Sequence, residues 1–430
     1  MAFVRAFGLA ALALGLSLPA LGQGIPKAQS PEEVGFSSIR LKRLSDRLDE
    51  GVKTGEIPGA VVLIARNGRI AMFQAFGYRD REAKAPMQTD TIFRIASMTK
   101  PITSVAAMTL VEEGKMSLAD PVAKYIPAFA DTKVSVKKTN PDGTVEMGLE
   151  PQERPMTLLD LMRHTSGLTY GALGSNVVKQ SYLDMKVMSA DQTNAEMVAK
   201  LSKLALLYQP GTHWEYSMST DVLGRVIEVV SGLPLDKFIE ERIAKPLKLG
   251  DTGFDVPMEK KDRGAHPQKE GPKGETPPIP DVTARTTWKS GGAGLVSTAA
   301  DYARFLQMFA NGGELDGVRV ISRKTIDWMT ADNLPPDIKM GDDMWRLGPL
   351  EPSARVGQGF GLGFAVRVDQ GRNPLPGSPY DYHWGGVWGT YFWHDPRERM
   401  YVVFMMQAPS VGQQYQAMVR DLVYQALTSN

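Results

Sequence analysis

Ser97 stands three residues before Lys100 in the run Ala96-Ser97-Met98-Thr99-Lys100-Pro101, a pairing that could do covalent chemistry on a carbonyl carbon. A serine hydroxyl is a poor nucleophile at neutral pH unless a neighbouring base takes its proton. A lysine amine can be that base only where burial or nearby positive charge lowers its pKa. The same spacing occurs again at Ser135-Val136-Lys137-Lys138, and composition alone would supply roughly one such match in a chain of this length. Context separates the two. Ser135 lies in a Lys/Thr/Asn/Asp stretch running into Pro141-Asp142-Gly143, which reads as a solvated loop. Ser97 is followed by Ile102, Val105, Ala106, Thr109 and Leu110, the buried stripe of a helix, and Pro101 falls in its first turn, where a missing N–H costs least. A helix starting at Ser97 or Met98 puts the Lys100 amine beside the Ser97 hydroxyl. Its N-terminus would direct partial positive charge at an oxyanion formed there.

Two further elements bear on that serine. Tyr216-Ser217-Met218 precedes a second helical pattern, and His383-Trp384-Gly385-Gly386-Val387 opens a strand with glycines. Glycines there let a ligand backbone approach closely, and their amides can supply a donor to an oxyanion. Serine plus lysine, then Tyr-Ser-x, then Trp-Gly-Gly, in that order, resembles the serine β-lactamase and penicillin-binding superfamily. The stretches FRIASMTKPITSVAAMTLVEEGKMSLADPVAKYIP, LLDLMRHTSGLTYG, YSMSTDVLGRVIEVVSG, GGAGLVSTAADYARF and WGGVWGTYFWHDP narrow the resemblance to the family VIII carboxylesterases, relatives of the class C β-lactamases, over about residues 35 to 410. The resemblance implies an acyl-enzyme mechanism. Ser97 would be the nucleophile, Lys100 and Tyr216 would share general-base and general-acid duty, and the amides of Ser97 and Val387 would form the oxyanion hole. Trp384, Gly385, Gly386 and Met218 would line the substrate.

Departures from the superfamily pattern carry the substrate argument. Two residues after the tyrosine, where lactamases and peptidases have an asparagine that binds the substrate amide, this chain has Met218, which offers no such donor and acceptor pair. Trp384 takes the place of the Lys or His that meets a substrate carboxylate. His383-Trp384-Gly385 also fits a His-x-Gly register, but adjacent strand residues face opposite sides, so only one of the two can point at Ser97. The glycine spacing favours Trp384. An indole there suits an apolar, uncharged group, so short-acyl esters are the expected substrates, with weak or no action on β-lactams. The same motifs would also serve a β-lactamase, a D-amino-acid peptidase or a β-lactam-binding module that is acylated once without turnover.

The elements that must position these residues follow from composition and patterning. The chain has 430 residues, 43% hydrophobic and 23% charged, with a formal net charge of +1. That length suggests two lobes, and the charge balance points to neither nucleic acid nor an anionic membrane surface. There is no cysteine, and the five histidines show no metal-ligand spacing, so neither a metal nor any other cofactor is expected. The Gly-x-Ser-x-Gly elbow of the α/β-hydrolases is absent, which leaves a Ser-His-Asp triad without support. His164 reads as a structural turn residue. Residues 1–22 combine Arg5, an apolar run and Ala20-Leu21-Gly22, the pattern of a cleaved export signal, with cleavage near Gly22. An exported, periplasmic or secreted protein with no stable membrane insertion is therefore expected. The oligomeric state is left open.

Ser37/Ser38 can cap a helix to about Lys53, and Asn67-Gly68 joins two β-rich runs. Helical patterns begin near 97, 157, 193, 221, 235 and 297, residues 256–282 read as a long surface loop, and strands return at 360–368, 383–393 and 400–406 before a last helix over 413–427. The fold class expected is α/β (α+β): an antiparallel sheet flanked by helices, built from residues 23–115 and 285–430, with a mainly helical domain, 116–284, inserted between.

Overall fold

The computed structural model describes residues 24–267 and 280–428. The export signal expected over residues 1–22 lies outside the described residues, as does most of the second half of the 256–282 loop. Among the described residues no helix is long and apolar enough to cross a membrane.

Strand Gly59–Arg66 is buried along its whole length because both of its faces are covered. Side chains alternate across a strand, so Val61, Leu63 and Ala65 join a core with Ile102, Val105, Tyr302 and Phe305, while Ala60, Val62 and Ile64 join another with Leu41, Leu44, Leu48, Tyr415 and Val419. The first core is supplied by helices Thr99–Glu112 and Ala299–Ala310, the second by Ser38–Thr54 and Gly412–Tyr424. Each fully buried Val, Leu or Ile contributes about 1.5–3 kcal/mol. Ser37 caps the first helix as expected, its side chain accepting from the Arg40 N–H. Asn67 and Gly68, at φ 53° and 71°, make the two-residue turn into Arg69–Asp80.

The sheet has eight strands, all neighbours antiparallel. Its order is Gln358–Phe360, Ala365–Arg367, Tyr382–Gly385, Tyr391–Asp395, Met400–Met406, Gly59–Arg66, Arg69–Asp80, Ala85–Pro86. N- and C-terminal pieces meet where Ala60 pairs with Met406 and Arg66 with Met400. Between these pieces the longer regular elements are helices Val177–Asp184, Asn194–Leu201, Ser219–Ser231 and Leu235–Ile239, together with the hairpin of Val134–Thr139 and Val145–Glu150.

Three expectations are corrected. The run 360–368 is two strands, reversed at Gly363 (φ 102°), where a Cβ would lie 2.6 Å from Ser104 Oγ on the helix that follows Ser97. The run 383–393 is likewise two strands, Tyr382–Gly385 and Tyr391–Asp395, reversed through Gly389 at φ 109°. Apolar patterning continues through both reversals, so periodicity alone could not register them. The Ser135 region is no loop but strand Val134–Thr139, paired with Val145–Glu150. Residues three apart on a strand face opposite sides, so Ser135 and Lys138 cannot act together.

A buried carboxylate ties the segment ahead of His164. Asp160 completes the capping box with Thr157 and also accepts from both Arg154 Nη atoms, at 2.6 and 2.9 Å, and from Thr165 Oγ1 at 2.8 Å. Burial alone would raise this carboxyl, but the Arg154 guanidinium and the Thr157 N–H outweigh it and hold it below its ordinary value. Asp160→Ala, which strands these donors, is expected to cost about 3 kcal/mol. Chemical denaturation measures it, and a loss under about 1 kcal/mol would mean the network contributes little.

Candidate active site

Ser97 sits in a tight 3-10 turn, Ala96–Met98, that runs directly into helix Thr99–Glu112. It is the one partly exposed residue among buried neighbours from Thr91 to Lys100. Ala96 before it holds φ 44°, a left-handed conformation that a residue with a Cβ adopts at a cost of about 1–3 kcal/mol and that is found most often where function needs it. One turn on, Lys100 is 1% exposed, and its ammonium uses all three protons: to Ser97 Oγ at 3.2 Å, Tyr170 Oη at 3.2 Å and the Gly292 carbonyl at 2.9 Å. The serine and lysine expected to meet do meet.

Tyr216 joins them from the start of helix Ser219–Ser231. Its ring centroid is 4.5 Å from Lys100 Nζ, a cation–π contact, and its hydroxyl accepts from Trp384 Nε1 at 3.2 Å. Among the described residues no hydrogen bond runs from the Tyr216 hydroxyl to Ser97 or Lys100. The phenol that Lys100 does bond is Tyr170, which sequence reasoning passed over. It lies within LLDLMRHTSGLTYG, but no spacing rule ties it to Ser97. Rings of Tyr170, His164, Trp214 and Trp384 surround Tyr216 at 5.0–6.1 Å and leave it 8% exposed.

Strand Tyr382–Gly385 settles which of two neighbours faces this cluster. Trp384 packs on Tyr216 and Phe360, whereas His383 points away, with Nε2 2.7 Å from Gln358 Oε1. Burial, and then Arg420 and Arg367, push the His383 pKa well below its ordinary value, so it is neutral. Past Gly385 the backbone of Gly386 closes on the Ser97 turn: a Cβ there would lie 2.6 Å from the Ile95 carbonyl oxygen, and Thr390 Oγ1 donates to that oxygen at 3.2 Å. Val387 follows with its side chain 61% exposed. Neither the Ser97 nor the Val387 N–H has a backbone carbonyl partner among the described residues. Met218, expected at the substrate, has no exposed surface; it ends up in the main core as the residue capping helix Ser219–Ser231.

Behind the lysine, Asp221 is fully buried. It accepts from Ser290 Oγ and, at 3.0 Å, from the Gly292 N–H, and a Cβ on Gly292 would crowd its Oδ2 at 2.6 Å. Burial pushes the Asp221 carboxyl up, with Lys100 pulling it back. Burial first and Asp221 second push the Tyr170 phenol well above its ordinary range, keeping it protonated. His164 takes the left-handed conformation (φ 59°) with Nδ1 3.1 Å from Ser217 Oγ, and burial then Lys100 keep it neutral. It works as a turn residue, as its context suggested. Among the described residues no three His, Asp or Glu side chains cluster to hold a metal ion. The arrangement pairs a partly exposed nucleophile with a buried amine, and Trp384 supplies no cation to meet a carboxylate.

Comparison with known proteins supports a serine hydrolase. The family model described as Beta-lactamase matches residues 44–425. The chain is 30% identical to Esterase EstB of Burkholderia gladioli over 410 residues, 89% of this chain and 94% of the esterase. It is 35% identical to Protein Rv1367c of Mycobacterium tuberculosis, covering 82% and 86% of the two chains. Among solved structures, EstCE1, a hydrolase with promiscuous acyltransferase activity, superposes with a TM-score of 0.73 at 28% identity, covering 90% of this chain and 99% of that one.

Proposed function

Because this chain belongs to the beta-lactamase family and is a serine hydrolase within it, we propose that it works as a family VIII carboxylesterase on short-acyl, uncharged esters. The observation that carries the reading is the 3.2 Å contact between Lys100 Nζ and Ser97 Oγ, beside Tyr216, whose hydroxyl is met by Trp384 where the wider superfamily has a cation.

In the proposed mechanism the Ser97 hydroxyl gives its proton to the Lys100/Tyr216 pair as Oγ attacks the ester carbonyl carbon. The Lys100 nitrogen is the member of the pair already in contact with the serine oxygen. The carbonyl oxygen becomes an oxyanion, met by the N–H groups of Ser97 and Val387, which have no backbone partner among the described residues. Collapse breaks the bond to the alcohol oxygen, which takes the proton back and leaves an acyl-Ser97. Water, deprotonated by the same pair, attacks that acyl carbon, and Oγ regains its proton. An alcohol in place of water would give acyl transfer, a second outcome favoured by the likeness to EstCE1.

Substrate preference rests on what faces the serine. Beside the cluster Trp384, 2% exposed, offers little surface and an indole N–H already engaged by Tyr216, and Met218 offers no surface. An amide or carboxylate would have to be desolvated there without a partner, at about 1–3 kcal/mol or more per group. Steady-state kinetics are therefore expected to give kcat/KM for p-nitrophenyl acetate or butyrate at least ~100-fold above that for a cephalosporin. A cephalosporin preferred over both esters would overturn the esterase reading in favour of a lactamase. A single burst of one acyl group per protein, with no further release, would favour the non-turnover binding module.

A further inference from the structure

Three segments far apart in sequence converge beside Tyr216: helix Val177–Asp184, strand His213–Trp214 with the residues that follow it, and the stretch 339–346. Lys179 joins all three. It is 1% exposed, and its ammonium lies 3.2 Å from Glu215 Oε1 and 2.8 Å from Asp343 Oδ2. Glu215 has no exposed surface, immediately precedes Tyr216, and also accepts from Thr169 Oγ1 at 2.6 Å. The backbone runs tightly around the three charges. Lys339–Met340 pairs in parallel with His213–Trp214, the Gly341 N–H donates to the Trp214 carbonyl at 2.9 Å, and the Tyr216 N–H donates to Met344 Sδ at 3.1 Å. A side chain at Gly174 would overlap the Asp343 carboxylate, and one at Gly341 would overlap that of Glu215.

Enclosing one fully buried carboxylate and one part-exposed carboxylate with a single buried ammonium is not the route to greatest stability. Well-packed neutral side chains of similar volume are often as stable or more so, whereas a buried ionic cluster admits few alternative arrangements. Such specificity matters here, because neither Ser97 nor Lys100 holds the Tyr216 hydroxyl by a hydrogen bond; its place depends on Trp384 and on the backbone that Glu215 anchors.

We propose that Lys179 is a positioning residue for Tyr216: by pairing with Glu215 and Asp343 it fixes the Tyr216 backbone against Met344, so that the phenol meets Ser97 and Lys100 in one geometry. This rests on the role proposed above for Tyr216. Displacing a catalytic group by about 1 Å can cost up to ~100-fold in rate, so the effect falls on kcat and leaves substrate binding nearly unchanged.

The decisive protein is the neutral triple variant Lys179→Met/Glu215→Gln/Asp343→Asn, which buries no unpaired charge. Its melting temperature is expected to stay near that of the wild type, while kcat for p-nitrophenyl butyrate falls at least ~10-fold and KM stays within about 2-fold. A triple variant with wild-type kcat would overturn the proposal, since the charges would then serve stability alone. Should the triple variant not fold, two milder proteins decide. Asp343→Asn, at the part-exposed end of the cluster, is expected to lose about 3-fold in kcat, and Lys179→Arg, which keeps the charge, to retain most of it. Unchanged kcat in Asp343→Asn would overturn the idea equally. Tyr216→Phe measured alongside separates the two layers. If it retains full activity, the role of Tyr216 itself falls; if it is inactive while the triple variant is fully active, only the positioning role of Lys179 does.

Discussion

Ser97→Ala is expected to lower kcat/KM for p-nitrophenyl butyrate by ~10⁴-fold or more, with little change in melting temperature. The loss is large because the covalent route disappears with Oγ: among the described residues the one other hydroxyl hydrogen-bonded to the Lys100 amine is the buried Tyr170 phenol, whose pKa is held well above its ordinary value. The fold should tolerate the change, since Ser97 is partly exposed and its oxygen makes one side-chain bond, to Lys100. Ser135→Ala provides the internal control. Strand Val134–Thr139 turns Ser135 and Lys138 to opposite faces, so that variant should be fully active. Full-speed ester hydrolysis by Ser97→Ala would end the acyl-enzyme reading, and loss of activity in Ser135→Ala alone would move the nucleophile.

Lys100→Met is expected to lose about 10³–10⁴-fold in kcat and, unlike Ser97→Ala, also to destabilise the fold by about 3 kcal/mol. The catalytic loss follows from removing the amine that contacts Ser97 Oγ. The stability loss follows from Asp221, a buried carboxylate for which Lys100 is the compensating cation. Burial already raises the Asp221 pKa in the folded protein, and without the ammonium it rises further. Between its ordinary value and that raised value the folded protein holds a proton that the unfolded chain has lost. Stability therefore falls as pH rises through that window and returns as pH drops. The melting-temperature deficit of Lys100→Met against the wild type should accordingly shrink on going from about pH 7 to about pH 5. A deficit that stayed constant or grew on acidification would show that Asp221 is not the group left unpaired. An intact kcat would remove Lys100 from the chemistry altogether.

Much of the fold could be read in advance because its signals are local. Asn67-Gly68 turns a hairpin whatever surrounds it, Thr157 with Asp160 and Thr193 with Glu196 cap their helices from within one turn, and the stripe after Ser97 can be read from helical periodicity. The hidden reversals at Gly363 and Gly389 were not legible, because apolar residues on both sides keep the pattern running while a positive φ turns the chain. The Ser135 stretch misled in the opposite sense: its polar composition reads as loop, but pairing with Val145–Glu150 makes it a strand.

For the site, the chain order of residue types was enough to nominate Ser97, Lys100, Tyr216 and Trp384. Three-residue spacing on a helix start is a distance in itself, so sequence alone determined that the serine and lysine could touch. Everything depending on contacts across the sheet and between distant segments was decided only by tertiary structure. Packing chose Trp384 over His383 for the face toward Tyr216, buried Met218 away from the cleft, gave Lys100 the Tyr170 hydroxyl and the Gly292 carbonyl as its other partners, and set Asp221 and Lys179 as buried charges on either side. Such choices depend on which side chains share one dry volume. That volume is enclosed by segments more than a hundred residues apart, so no window along the chain contains it.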